Sequence, residues 1–205
     1  MIFPPDTTLY VIRHGETDWN KEGMLQGQRD IPLNEQGEKD AHRSGDILST
    51  LIDVYNPPPF FVSPLMRAQQ TARIICERLD QSLPVISTDV DLMELTFGRW
   101  EGMTWREITQ RFPHDASARQ RDKWGYVPPE GENYDMLLTR VKRAGERIIE
   151  HLKVQKLNKS VIVAHGGVSR VLLASLCGVA HPKAALMHIP HDRVLIIADR
   201  AYRWV

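Results

Sequence analysis

Arg13-His14-Gly15-Glu16-Thr17 sets a guanidinium beside an imidazole directly after a short apolar run, Leu9-Tyr10-Val11-Ile12. Such a run ahead of glycine reads as a buried strand ending in a loop. At the carboxyl end of a strand in an α/β sheet, a side chain faces the crevice where ligands collect. Taken alone, the tripeptide is equally compatible with a core histidine satisfied by its neighbours.

The pattern recurs, and recurrence changes the reading. Val161-Ile162-Val163-Ala164 is a second β-branched run and leads at once into His165-Gly166-Gly167; Phe60-Phe61-Val62 leads into Ser63-Pro64-Leu65-Met66-Arg67 and a helical stretch. If these strands are parallel neighbours, Arg13, His14, Arg67 and His165 converge on one pocket suited to an anion. A phosphate monoester carries close to two negative charges, and arginine offers a planar fork of donors that matches phosphate oxygens. Each such charge-assisted hydrogen bond contributes roughly 1.5–3 kcal/mol. Arg13 and Arg67 would clamp the phosphoryl group, and the glycine-rich helix start at Gly166 would add backbone N–H donors. A neutral imidazole is also a competent nucleophile toward phosphorus, splitting one hard displacement into two easier ones.

The departing oxygen needs a proton. Glu94, in Asp91-Leu92-Met93-Glu94-Leu95-Thr96-Phe97-Gly98, is an acidic side chain among apolar neighbours and fits a general acid that later serves as general base on water. A surface glutamate opening a helix is the rival reading, and Asp91 and Glu101 compete for the role.

The elements that must position these groups alternate along the chain. After the first strand comes a polar loop to about Leu33. A helix capped by Asn34 then runs to about Asp53, stopped by Pro57-Pro58-Pro59. A second helix covers about Leu65 to Asp80, and a short strand follows at Val85-Ile86. Leu92 to Arg111 contains a helix closed by Pro113, Ala116 to Pro129 looks helical, and a long amphipathic helix fits Glu132 to Lys153. The third strand, a helix after Gly167 and a final strand over Val194 to Ala198 complete the pattern. This βαβ alternation implies α/β architecture, a three-layer α/β/α sandwich around a mainly parallel, mixed sheet.

The chain has 205 residues, 42% hydrophobic and 25% charged, with formal net charge zero. That length supports a single domain over 1–205. Zero net charge gives no global field for nucleic acid or an anionic membrane, so any anion must be met by a local cluster. No signal peptide or membrane-spanning run is expected, and Cys76 and Cys177 read as buried thiols of a reducing, cytoplasmic setting. No metal site is expected: His188 and His191 lack a third ligand, and His42, His114, His151 and His181 fall in polar stretches expected to be exposed. No P-loop or dinucleotide fingerprint occurs, so no cofactor is expected. Oligomeric state is not legible, although homodimers are common among α/β enzymes.

Together, Arg13 to Asn20, Gln26 to Gly37, Ser63 to Ala72, Glu94 with Phe97-Gly98-Arg99-Trp100-Glu101-Gly102, and Ala164 to Gly167 form ordered blocks over nearly the whole chain. In them the chain resembles the histidine phosphatase superfamily, also called phosphoglycerate-mutase-like. The resemblance implies a phosphohistidine on His14 and no metal requirement. It implies that Arg13, Arg67 and His165 hold the phosphoryl group, that Glu94 donates the proton, and that Asn20 and the Gln26-Gly27 turn line the pocket. Two stretches depart from the pattern. Pro129-Glu130-Gly131-Glu132-Asn133 stands where phosphatases often read Pro-Gly-Gly-Glu-Ser, and Glu94-Leu95-Thr96-Phe97-Gly98 stands where glycolytic mutases show Glu-Arg-His-Tyr-Gly.

Leu95 and Thr96 supply no positive charge, and Trp105 to Pro129 leaves little room for a basic insertion. These features favour a phosphatase acting on a small phosphorylated metabolite over a bisphosphoglycerate-primed mutase or a silent phospho-ligand binder. Arg106, Arg111, Arg119, Arg121 and Lys123 lie in that stretch and read first as a solvated helix face. Trp100, Trp105, Trp124 and Tyr126 would either shape the leaving-group side or belong to the core.

Overall fold

The computed structural model describes residues 3–4, 6–79 and 84–205. Four of its strands carry apolar side chains on both faces: β1 (Thr8–Arg13), β2 (Phe60–Val62), β4 (Lys159–Ala164) and β5 (Val194–Ala198). Leu9, Val11, Phe61, Ile162, Ala164, Leu195 and Ile197 point into one core, whereas Tyr10, Ile12, Phe60, Val62, Val161, Val163, Val194 and Ile196 point into the other. A sheet apolar on both sides needs helices on both sides. Two helices, α2 (Glu35–Ser49) and α3 (Met66–Leu79), cover the second core; α6 (Tyr134–Gln155) and α7 (Gly166–Cys177) cover the first.

With β3 (Ile86–Thr88) and β6 (Ala201–Trp204) the sheet has six strands in the order β3-β2-β4-β1-β5-β6. β1, β4, β2 and β3 run parallel, β5 runs antiparallel to β1, and β6 runs antiparallel to β5. The fold is therefore the α/β/α sandwich with a mixed sheet. Strand β6 is an addition to the expected elements. Asp199 and Arg200 both take positive φ between β5 and β6, the geometry of a two-residue hairpin turn. Without the usual Asn-Gly or Asp-Gly pair, that turn leaves a weak sequence signal.

Several boundaries also differ from expectation. The loop after β1 contains a single helical turn, α1 (Asp18–Lys21), held by a reciprocal capping box between Thr17 and Asn20. Helix α2 starts where Asn34 accepts the Gly37 N–H but ends at Ser49, short of Asp53. Helix α3 ends at Leu79, and Asp80 lies outside the described residues. Before Trp105 the chain forms two isolated 3₁₀ turns, Val90–Leu92 and Gly98–Trp100, and the helix proper, α4, covers only Trp105–Arg111. Pro113 does not simply close α4; it opens α5 (Pro113–Arg121), because the first helical turn tolerates a missing N–H. A short α8 (His181–Leu186) follows α7.

Both α4 and α5 gather around a third, smaller core of Trp100, Ile108 and Ala116. Tyr126 stacks on Trp100 at 5.7 Å, and Trp124 stacks between Tyr134 and His181. Cys76 is buried, and burial pushes its thiol up to about 11; Cys177 is only half-buried, contrary to expectation. His42, His114 and His181 are exposed, while His151 packs its edge against Phe61 at 5.5 Å. Among the described residues no helix is long and apolar enough to cross a membrane.

Candidate active site

His14 follows β1, His165 follows β4, and Ser63 follows β2, all at the carboxyl ends of consecutive parallel neighbours. The hydrogen-bond ladder runs one step further into the site. His14 N–H donates to Ala164 O at 3.0 Å, and Ser63 N–H donates to Val163 O at 3.0 Å. The two imidazoles consequently lie 5.2 Å apart, tilted at 56°. Arg67, in the first turn of α3, is 1% exposed.

The network assigns the His14 tautomer. Nδ1 sits 2.7 Å from Gly15 O, which can only accept, so the proton is on Nδ1. Nε2 then presents its lone pair, and Arg67 Nε donates to it at 3.3 Å. The other Arg67 nitrogens donate to Arg29 O at 2.7 Å and Gly27 O at 2.8 Å. Burial, reinforced by His165, Arg67, Arg13 and His191, holds the His14 pKa well below the usual histidine range. A buried imidazole amid cations stays neutral, the form that attacks.

His165 is fully buried, with Nε2 at 2.7 Å from Ser63 Oγ. Burial, then Arg67, Arg13 and Arg140, lower its pKa strongly. Arg13 donates Nη1 to Ile189 O at 2.7 Å. Burial and Arg170 lower its pKa to about 10, which leaves it charged at neutral pH. Three polar atoms here are buried without a hydrogen-bond partner: Arg13 Nε, Gln26 Oε1 and His165 Nδ1. Unpaired buried polar atoms are rare, so a cluster of them marks where a polar ligand is completed.

Glu94 is held by its surroundings. Oε2 accepts the Gly167 N–H at 3.0 Å, Oε1 accepts the Leu95 N–H at 3.0 Å, and its carbonyl accepts from Arg140 at 2.8 Å and Gln28 at 3.1 Å. The competing carboxylates are committed elsewhere. Asp91 pairs with Arg143 and Arg147, which together outweigh burial and keep its pKa below the usual range. Glu101 accepts from Gln28 N, Thr96 Oγ1 and Phe97 N and pairs with Arg29.

A cavity of about 480 Å³ opens here, and the fully buried His165 is not part of its wall. Arg13, His14, Arg67 and Glu94 line it, as do the expected Asn20, Gln26, Gly27 and Gly166. Gly27 takes φ +53°, and a Cβ there would stand 2.0 Å from Glu101 Oε1, so the turn requires glycine. Trp105 also lines the cavity, whereas Trp100 and Trp124 are core.

The sequence did not single out several participants. Ser63 stands in the sequence only as the first residue of the Ser63–Ala72 block. His191, read with His188 as an uninformative pair, places Nδ1 at 2.6 Å from His14 O and its ring 5.4 Å from His14, while His188 is exposed. Arg140, 8% exposed, binds Asp91 O, Met93 O and Glu94 O and pairs with Glu132 at 2.9 Å. Glu132, within the departing Pro129–Asn133 stretch, therefore steadies the Glu94 loop, and Asn133 still caps α6. The solvated-face reading of five basic residues holds for Arg106, Arg111 and Arg121 only. Arg119 is buried over the Phe97 ring and lines the cavity with Lys123.

Residues 9–205 match the family model described as histidine phosphatase superfamily, branch 1. The adenosylcobalamin/alpha-ribazole phosphatase of Escherichia coli is 33% identical over 185 residues, which is 90% of this chain and 85% of that protein. A 2,3-bisphosphoglycerate-dependent phosphoglycerate mutase of Gloeobacter violaceus is 33% identical over 82% of this chain and 74% of its own length. Among solved structures, a mycobacterial glucosyl-3-phosphoglycerate phosphatase in complex with VO3 superposes with a TM-score of 0.78 at 26% identity, covering 97% of this chain and 96% of its own.

Proposed function

The chain belongs to the histidine phosphatase superfamily, branch 1, and from that premise we propose that residues 1–205 act as one catalytic domain hydrolysing small phosphomonoesters through a phosphohistidine on His14. The observation that carries this reading is the neutral His14 with its Nε2 lone pair held toward Arg67, beside the unpaired Arg13 Nε and His165 Nδ1. In the first step Nε2 forms a bond to phosphorus and the ester P–O bond breaks. Glu94, entering as the carboxylic acid, gives its proton to the departing oxygen. In the second step the Glu94 carboxylate takes a proton from water as the water oxygen bonds to phosphorus. The P–N bond then breaks and inorganic phosphate leaves. Arg13, Arg67 and His165 donate hydrogen bonds to the non-bridging oxygens, where charge develops.

The test is rapid-quench labelling: acid-labile phosphate should appear on His14 during turnover of an aryl phosphate and disappear in His14→Ala. Hydrolysis with no such label would remove the covalent route. A second reading, phosphoryl transfer back to the substrate, is favoured by the mutase relative. Incubation with 3-phosphoglycerate and a trace of 2,3-bisphosphoglycerate discriminates, because only a mutase yields the 2-isomer.

A further inference from the structure

Strand β5 runs antiparallel to β1, with Leu9 opposite Ile197 and Ile12 opposite Val194. Continued past both strand ends, that register brings residue 191 opposite Gly15. The segment ahead of β5 turns alternate residues onto the site. Met187 O accepts from Arg170 Nε at 3.0 Å, Ile189 O accepts from Arg13 Nη1 at 2.7 Å, and His191 Nδ1 lies 2.6 Å from His14 O. A carbonyl oxygen only accepts, so His191 carries its proton on Nδ1 and donates it. Burial and Arg13 lower its pKa to about 3, so the ring supplies this proton without adding a charge next to Arg13.

The peptide between His14 and Gly15 is thereby held on both edges. Its oxygen takes the His191 proton, and its N–H, that of Gly15, donates to Thr71 Oγ1 at 3.1 Å. Thr71 Oγ1 in turn donates to Arg67 O at 2.7 Å, one turn back in α3. A peptide unit is planar, so bonds on its two opposite edges fix its rotation. The next carbonyl, Gly15 O, is the one that accepts the His14 Nδ1 proton at 2.7 Å. Rotation of the 14–15 peptide would swing Gly15 O out of line with that proton. The proton could then pass to Nε2, where it would occupy the attacking lone pair.

We propose that His191 is a positioning residue for the nucleophile: through the His14 carbonyl it holds the peptide that delivers Gly15 O to Nδ1, and so keeps Nε2 bare and aimed into the site. His191 is not part of the cavity wall, so it acts through His14 and not on the substrate. The demand on the Gly15 bond grows during the reaction. As Nε2 bonds to phosphorus the His14 ring becomes cationic and its Nδ1–H a stronger donor, and Gly15 O is the acceptor that answers it. This inference rests on the phosphohistidine reading of the same site and adds what sets the protonation of its nucleophile.

Leucine and asparagine have nearly the same shape, and asparagine Nδ2 falls where the imidazole carries Nδ1. His191→Leu and His191→Asn therefore separate the hydrogen bond from packing. Single-turnover labelling with an aryl phosphate should show phosphoenzyme formation slowed about tenfold or more in His191→Leu, the scale of one lost hydrogen bond. His191→Asn should stay within about threefold of the wild type on the same scale. Nitrogen-15 NMR of the free protein gives a readout that loosened packing would not move. The wild type should show His14 protonated on Nδ1 and bare on Nε2; His191→Leu should populate the Nε2–H tautomer, and His191→Asn should not. If His191→Leu does not fold, His191→Phe supplies a ring without the donor and should show the same two changes. A tautomer shift in His191→Leu, in a protein that hydrolyses phosphate esters with no label on His14, would support the positioning role while removing the phosphohistidine reading. Label on His14 at the wild-type rate in His191→Leu, with the His14 nitrogens unchanged, would overturn the positioning role and leave that reading standing. Equal slowing in His191→Leu and His191→Asn would overturn it as well.

Discussion

Glu94 Oε2 accepts the backbone N–H of Gly167 at 3.0 Å, so the proposed proton donor is fastened to the helix that begins beside His165. The fit is tight: a Cβ on Gly167 would stand 2.1 Å from Glu94 Oε1. Gly167→Ala should therefore displace the carboxyl and imitate Glu94→Gln. Both variants should lose about 10²- to 10⁴-fold in kcat with alkyl phosphates, the usual worth of general acid–base help. The loss should be much smaller with p-nitrophenyl phosphate, whose leaving oxygen needs little protonation. Equal losses on both substrates would argue against the assigned role.

His14 and His165 are buried with pKa values driven well below 6.5, and His191 is driven to about 3. Their unfolded counterparts protonate near 6.5. The unfolded chain thus binds more protons below that pH, and stability should be full above it and fall as pH drops from about 6.5. Each fully buried imidazole adds about 1.4 kcal/mol per pH unit to the slope. Urea melts between pH 7 and 4.5 should show this, and His165→Gln should flatten the dependence.

Arg140 ties Asp91, Met93 and Glu94 carbonyls to Glu132. Removing it leaves several buried acceptors unpaired, each worth about 1–3 kcal/mol. Arg140→Met should lower thermal stability and also reduce kcat with alkyl phosphates more than with aryl ones. Arg140→Lys should recover part of the stability without the forked geometry.

Gly15 and Gly37 meet backbone to backbone: a Cβ on Gly15 would stand 2.1 Å from Gly37 O, and one on Gly37 would stand 2.0 Å from Glu16 O. Gly37→Ala must push α2 away from the loop that begins at His14. Loss of stability accompanied by slower phosphoenzyme formation in rapid quench is the expected outcome, although residue 37 touches no substrate.

Burial, Arg170 and Arg119 lower the Lys123 pKa to about 8. Above that pH the ammonium loses its proton and the cavity wall loses one positive charge. KM for an aryl phosphate should rise as pH passes through about 8 in the wild type and stay flat in Lys123→Gln.

The meeting of Arg13, His14, Arg67 and His165 was legible because each follows an apolar strand, and parallel neighbours align their carboxyl ends. What escaped reading depended on local geometry. The hairpin into β6 uses Asp199-Arg200 where glycine would have announced a turn. Helices α1 and α8 are too short to show a period. His191 sits in a loop whose path is set by its bond to His14 O, and nothing in Ile189-Pro190-His191 encodes that bond. Arg119 looks like one of several surface charges on α5 until Phe97 is folded beneath it.

β1 lies between β4 and β5, and the loop after it is gripped by Ile189 O and His191. His14 is translated before both strand neighbours of β1, β4 (Lys159–Ala164) and β5 (Val194–Ala198), and before Ile189 and His191. Synthesis proceeds at about 5–20 residues per second, so nascent chains should pass through an interval in which His14 exists without a working site. The site around His14 thereby stays incomplete until β5 has been made and paired with β1.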